Sequence, residues 1–152
     1  MKRFTLAALC ALLCAASVLA SGVATETQTP VTARYSVDTV YKLVIPWTSG
    51  ADSLFTRTLL TPIQGQILQA ITIPDTVGIA DNYDIAITDE DGTDIFGGAL
   101  ANRDSANTET AIPLAGSLAN PNSWVTGDLT VTITGLDMAL AKGKIIIYWK
   151  AR

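Results

Sequence analysis

Histidine is absent from the 152 residues of this chain, and cysteine occurs only twice. Both cysteines, Cys10 and Cys14, fall in a stretch with the composition of an export leader. Lys2 and Arg3 form a basic start. Phe4 to Ala20 then carry no charge and are rich in Leu and Ala, and small residues follow at Ala20, Ser21, Gly22 and Ala24. That order is the pattern of a secretory signal peptide, expected over residues 1–24. The uncharged run falls short of the ~20 apolar residues of a comfortable membrane span. Leu9 and Leu13 precede the cysteines, where lipidation requires a small residue, so the cysteines read as apolar filler. Cleavage after Ala20 and cleavage after Gly22 both satisfy the small-residue rule. Either cut leaves a chain with neither Cys nor His. Ser-His and Cys-His nucleophilic arrangements are then excluded, and no disulfide is expected.

Positive charge is also scarce. Without Lys2 and Arg3 the 10 basic residues become 8 against 14 acidic ones, and the net charge moves from −4 to −6. Binding to a nucleic acid backbone needs clustered Lys and Arg, so no nucleic acid partner is expected. The same sign disfavours an anionic membrane surface, and no stable membrane insertion is expected once the leader is gone.

A long helical period is missing as well, and the chain reads as strands. Residues 25–34 are Thr-rich with Pro30 and read as a flexible lead-in. Over 35–152, Val37, Thr39, Tyr41, Leu43, Ile45 and Trp47 alternate onto one face. Leu54 to Leu60 can return after the Ser49–Asp52 turn, and Ile67, Ile71 and Ile73 continue the alternation to Pro74. Tyr83, Ile85 and Ile87 share a face before Asp89-Glu90-Asp91-Gly92, where Asp suits the first and Gly the fourth position of a type I turn. Thr93 to Phe96 is the expected returning strand, and Thr108 to Leu114 a further one. Leu129, Val131 and Ile133 alternate with Thr130, Thr132 and Thr134. Ile145 to Trp149 is apolar on both faces, as in a buried central strand. The expectation is an all-β fold: an antiparallel β-sandwich of about seven or eight strands, jelly-roll or immunoglobulin-like.

Two groups of residues are candidates for binding. Asp89, Asp91 and Asp94 gather hard oxygen ligands on one turn, the chemistry Ca²⁺ requires, although aligning Gly92 with the glycine of an EF-hand loop puts Ile87 at the first ligand position. A solvated hairpin turn explains the same residues, since Asp-Gly turns form for backbone reasons alone. Apart from Ca²⁺, no cofactor is expected. Among the aromatic residues, Trp47 and Trp149 follow the apolar alternation and belong in the core. Trp124 follows Asn120-Pro121-Asn122-Ser123 at a loop–strand junction; it either covers the end of the fold or presents an exposed contact for a carbohydrate.

The block Ile73-Pro74-Asp75, Asp81-Asn82-Tyr83-Asp84-Ile85 through Asp89-Glu90-Asp91-Gly92-Thr93-Asp94-Ile95, then Gly97-Gly98-Ala99-Leu100-Ala101-Asn102-Arg103 resembles a set of small proteins encoded in tailed-phage and prophage genomes. These share a PD…DNYD…DEDG.D…G..AN core, a Gly-Asp/Lys-Leu-Thr strand, matched by Gly127-Asp128-Leu129-Thr130, and a closing Lys-Gly-Lys/Arg strand, matched by Lys142-Gly143-Lys144. The resemblance spans Tyr41 to Lys150 and implies a virion accessory component: a head decoration, head fibre or tail-associated protein. Tailed virions assemble in the cytoplasm, where an export leader has no use, so leader and resemblance point to different destinations. The expected function is a non-enzymatic structural or interaction protein of a virion or extracellular surface, with protein partners that include copies of itself. The alternative is an exported module, periplasmic or extracellular, that binds carbohydrate or Ca²⁺.

Overall fold

A computed structural model describes residues 22–31, 39–75, 78–120 and 123–151. Residues 1–21 of the expected leader, and Tyr35 and Val37 of the expected first strand, lie outside the described residues. In chain order the strands are β1 (Val23–Ala24), β2 (Thr27–Val31), β3 (Val40–Thr48), β4 (Phe55–Thr58), β5 (Ile63–Pro74), β6 (Asp84–Thr88), β7 (Glu109–Ala111), β8 (Leu114–Ala115), β9 (Leu118–Ala119), β10 (Trp124–Gly127), β11 (Thr130–Thr134) and β12 (Lys142–Ala151). The fold is all-β and every pairing is antiparallel. No helix among the described residues is long and apolar enough to cross a membrane.

The strands outnumber the seven or eight expected because both edges of the larger sheet are built from fragments. β12 lies at its centre, paired with β3 on one side and β5 on the other. β1 and β2 share the outer edge of β3, and β7 and β10 share the outer edge of β5. The smaller sheet has the order β4-β11-β6, and β8 and β9 form a separate ribbon. The apolar faces of the two sheets meet in one core. Leu43, Ile45, Ile67, Ile145 and Ile147 of the larger sheet lie in the same buried cluster as Phe55, Ile87, Val131 and Ile133 of the smaller one. Burying an aliphatic side chain of this size contributes about 1.5–3 kcal/mol. The alternation of Leu43-Ile45-Trp47 and of Val131-Ile133 therefore carries much of the folding free energy.

The expected alternation fails in the middle of β5. Ile67 faces the core, but Ile71 and Ile73 do not; Ala70 and Thr72 take the buried places. The cause is a register shift against β12 between Tyr148 and Trp149, where Tyr148 pairs with Gln69 and Trp149 with Ile67. One extra residue in a strand moves every later side chain to the other face. Ile146 then stands opposite Val44 and Ile71 on the outer face and is itself 8% exposed, so β12 is apolar on both faces as its sequence suggests.

Two other expectations are corrected. Thr93 to Phe96 does not return as a strand; it makes a single bridge, Thr88 with Asp94, and then turns. The Asp94 carboxylate accepts from the Phe96 and Gly98 amides, and a local side-chain acceptor of this kind competes with the sheet ladder. Part of the lead-in expected over 25–34 is also strand. Thr27–Val31 pairs with β3, and β1 pairs ahead of it, so the sheet takes in residues placed before the domain and even within the leader. Ala24 reads equally well as leader or core, and it is buried. Pro30 is accommodated because β2 is an edge strand.

Glu26, between β1 and β2, ties this edge to the turn that follows β4. One carboxylate oxygen accepts from the Leu60 amide and the other from the Thr61 amide, each at 2.9 Å. Arg57 of β4 lies 4.0 Å from Glu26 and donates to the Ala24 carbonyl at 2.7 Å. The Glu26 side chain is 4% exposed, so removing it takes a buried acceptor from two amides. Glu26→Ala is expected to lose roughly 2 kcal/mol of stability in urea unfolding. Glu26→Gln, which keeps one acceptor, should lose about half as much.

Candidate functional site

The acidic turn folds as its sequence directs, but the carboxylates of Asp89 and Asp94 serve the backbone. The Gly92 amide donates to the Asp89 carbonyl at 3.0 Å, closing a turn with Asp first and Gly fourth. Gly92 has φ +80°, a conformation that glycine adopts at least cost. Asp89 Oδ1 accepts from the Asp91 and Thr93 amides at 3.1 and 2.8 Å. Asp94 uses both oxygens, Oδ1 for the Phe96 amide at 3.0 Å and Oδ2 for the Gly98 amide at 2.7 Å. Further along, Asp84 Oδ1 accepts from the Asn102 amide at 2.8 Å. Among the described residues, no group of three or more His, Cys, Asp or Glu side chains is placed to hold a metal ion. Asp89 and Asp94 each cap their own turn.

The tryptophans separate as their patterns suggest. Trp47 is buried and lies against Phe55, with ring centroids 6.1 Å apart. Trp149 is buried and stacks on Tyr41 at 4.6 Å with an interplanar angle of 18°. Trp124 is 52% exposed. It opens β10, where it stands opposite Gln66, and Thr126 stands opposite Gln64. Directly opposed residues share a sheet face, so Trp124, Thr126, Gln64 and Gln66 stand together. An open cleft of about 680 Å³ lies at this corner, lined by Gln64, Gly65, Trp124, Thr126, Trp149 and Ala151. Gly65 permits the close packing beneath it: a Cβ there would overlap the Lys150 carbonyl and crowd the Trp149 ring. The indole N–H of Trp149 is buried without a hydrogen-bond partner. The cleft unites Trp124 with Trp149 but not with Trp47 or Tyr83, which are core residues.

A polar cluster around Tyr83 has no signal in the sequence pattern. Tyr83 is 1% exposed, and its hydroxyl hydrogen-bonds the Thr72 side chain. Arg103 Nη1 lies 3.6 Å from Glu109 Oε2, which also accepts from the Asp104 amide at 2.8 Å. The backbone closes the unit: the Arg103 amide donates to the Tyr83 carbonyl and the Asn82 amide to the Arg103 carbonyl. Asp104 is held below the usual carboxylate range, chiefly by the Asn107 side-chain amide and then by the Ala106 and Asn107 N–H groups. The signal was present only as separate residues, since the members come from three distant parts of the chain. Their bonds fasten the 103–109 loop onto β5 and the start of β6.

A scan of protein-family models finds no match to this chain, and no curated protein matches it.

Two outcomes follow from this chemistry. Burial pushes the Tyr83 hydroxyl up to about 12, from an ordinary value of 10.0. The unfolded chain therefore loses this proton first, and the stability tied to the neutral hydroxyl, present below pH 10, declines as pH rises toward 12. Tyr83→Phe removes that term, so the fall in stability across this window should be shallower in the variant by about 2 kcal/mol, read from urea midpoints. For the acidic turn, Asp94→Asn places an NH₂ group against a backbone N–H and should cost about 1–2 kcal/mol. Asp89→Asn can present its one carbonyl oxygen to both amides and should change stability by less than about 0.5 kcal/mol. A melting temperature raised by Ca²⁺ in the wild type, and not in either variant, would mark a metal site in place of two caps.

Proposed function

We infer that this protein is a non-enzymatic structural or interaction component, an accessory β-sandwich of a virion or extracellular surface assembly. The observation that carries this reading is the use to which the 81–103 block is put. Asp84, Asp89 and Asp94 each accept backbone amides, and Asn82 and Arg103 are joined through their backbones. A motif whose acidic residues hold turns in place serves as a scaffold. Among the described residues, no three acidic side chains gather where a metal ion could be held. The resemblance of the same block to small phage-encoded proteins supports a place on a virion. The leader pattern of residues 1–24 supports an exported surface instead. In either setting the partners are protein components of the assembly, including further copies of the chain.

The test is fractionation of material made in its native host. The protein is expected to sediment with particles or surface filaments, and N-terminal sequencing of that fraction separates the two settings. An intact Met1 on particles identifies a virion component, and a cut near Ala20 identifies an exported one. Recovery solely as free monomer, in the medium and in lysates, would sink the assembly reading.

A further inference from the structure

We propose that the cleft at the β5–β10–β12 corner is a binding site for a neutral saccharide. Its lining has three properties that together select this class of ligand. First, Trp124 presents half its surface to water while the other two tryptophans are buried. A large apolar ring left exposed suits the C–H face of a pyranose, which stacks on an aromatic plane as other amphipathic ligands do. Second, the polar groups beside the ring are Gln64 and Thr126, a side-chain amide and a hydroxyl on the same sheet face. Both can donate and accept, as neighbouring sugar hydroxyls demand. Third, none of the described side chains lining the cleft is charged. The lining itself offers a phosphate or carboxylate no counter-charge, since Lys150 stands outside it, opposite Gln66, on a chain that is acidic overall. A purely apolar ligand would leave the amide and hydroxyl unused.

The scaffold under the site is stiff. Gln64 lies in the long strand β5, and β10 pairs with β5 in register from Trp124 to Gly127. Trp149, packed on Tyr41, forms part of the wall and contributes its own unpartnered N–H to the interior beneath. The volume falls in the range of about 300–1,000 Å³ typical of ligand sites. Its open form suits a segment of a polymer lying across the surface rather than an enclosed small molecule. The inference goes beyond the assembly reading and does not depend on it.

The test is titration of the whole secreted or particle-derived protein with maltohexaose, cellohexaose and chitohexaose, with polygalacturonate as a charged comparator. Tryptophan emission and calorimetry supply the readouts. At least one neutral oligosaccharide is expected to bind saturably and to perturb the exposed indole. Trp124→Ala should weaken that binding at least about tenfold, and Gln64→Ala several-fold, with unfolding midpoints unchanged because both side chains are on the surface. Trp124→Phe, which keeps a ring, should restore part of the affinity. The proposal is overturned if none of the three neutral oligosaccharides binds, if polygalacturonate alone binds, or if binding survives Trp124→Ala. Particle association of Trp124→Ala, measured in parallel, keeps the two readings apart: loss of saccharide binding with sedimentation intact speaks only to the cleft.

Discussion

The fold depends on β12 being hydrogen-bonded along both edges. From Lys142 to Lys150 it pairs with β3, and from Gly143 to Ala151 with β5. A strand held on both sides cannot slip in register without moving its neighbours, and here a slip of one residue would turn Ile145 and Ile147 out of the core. The one irregularity, at Tyr148 and Trp149, is consequently absorbed by β5. Downstream of it Ala70 and Thr72 face inward, and Thr72 meets Tyr83 and the backbone of β7 through its hydroxyl. The bulge thus creates the polar cluster: without it an isoleucine would stand where the cluster needs a hydroxyl.

A second device recurs away from the sheet centre. Carboxylates take the place of strand neighbours at several points where the ladder stops. Glu26 serves the amides after β4, Asp94 those after the Thr88 bridge, and Asp104 those of Ala106 and Asn107. A backbone amide that leaves the ladder takes its acceptor from a side chain or from water, and short strands joined by tight turns leave many such amides. The acidic composition of the chain is in good part an answer to that demand. This explains why a sequence dense in Asp yields turns held in shape, with no three acidic residues gathered around a common point among the described residues.

The sequence was most legible where one residue's neighbours two positions away settle its fate. Leu43-Ile45-Trp47, Leu129-Val131-Ile133 and the Asp89–Gly92 turn are all of this kind, and all stand as read. It was least legible where a residue's place depends on a distant partner. Ile71 follows the same local pattern as Ile67 yet lies on the opposite face, since the bulge is specified by pairing with Tyr148 and Trp149. Thr27–Val31 has the composition of a loose segment and becomes a strand because β3 offers an edge. The site residues divide in the same way. Trp124 was visible from its position after a Pro-Asn loop, while Gln64 and Thr126 had no mark until β5 and β10 brought them opposite each other.

The edges of the larger sheet bear on how this molecule meets anything else. An unpaired edge strand is an invitation to another chain, but the two edges here are poorly suited to accept one. β2 carries Pro30, which lacks an N–H, and β10 is four residues long and ends at Gly127. Neither offers the long row of free donors and acceptors that strand addition uses. What these two edges present instead is side chains standing off the sheet faces and turns. Trp124 is the clearest of these. Hydrophobic burial draws large rings into a core, and two of the three tryptophans in this chain obey it. The third occupies a strand whose register places its ring on the outer face, beside an amide and a hydroxyl and over a cleft whose described lining is uncharged. Half of that ring is left in contact with water, and an exposed aromatic face of this size is a surface that a ligand can stack on.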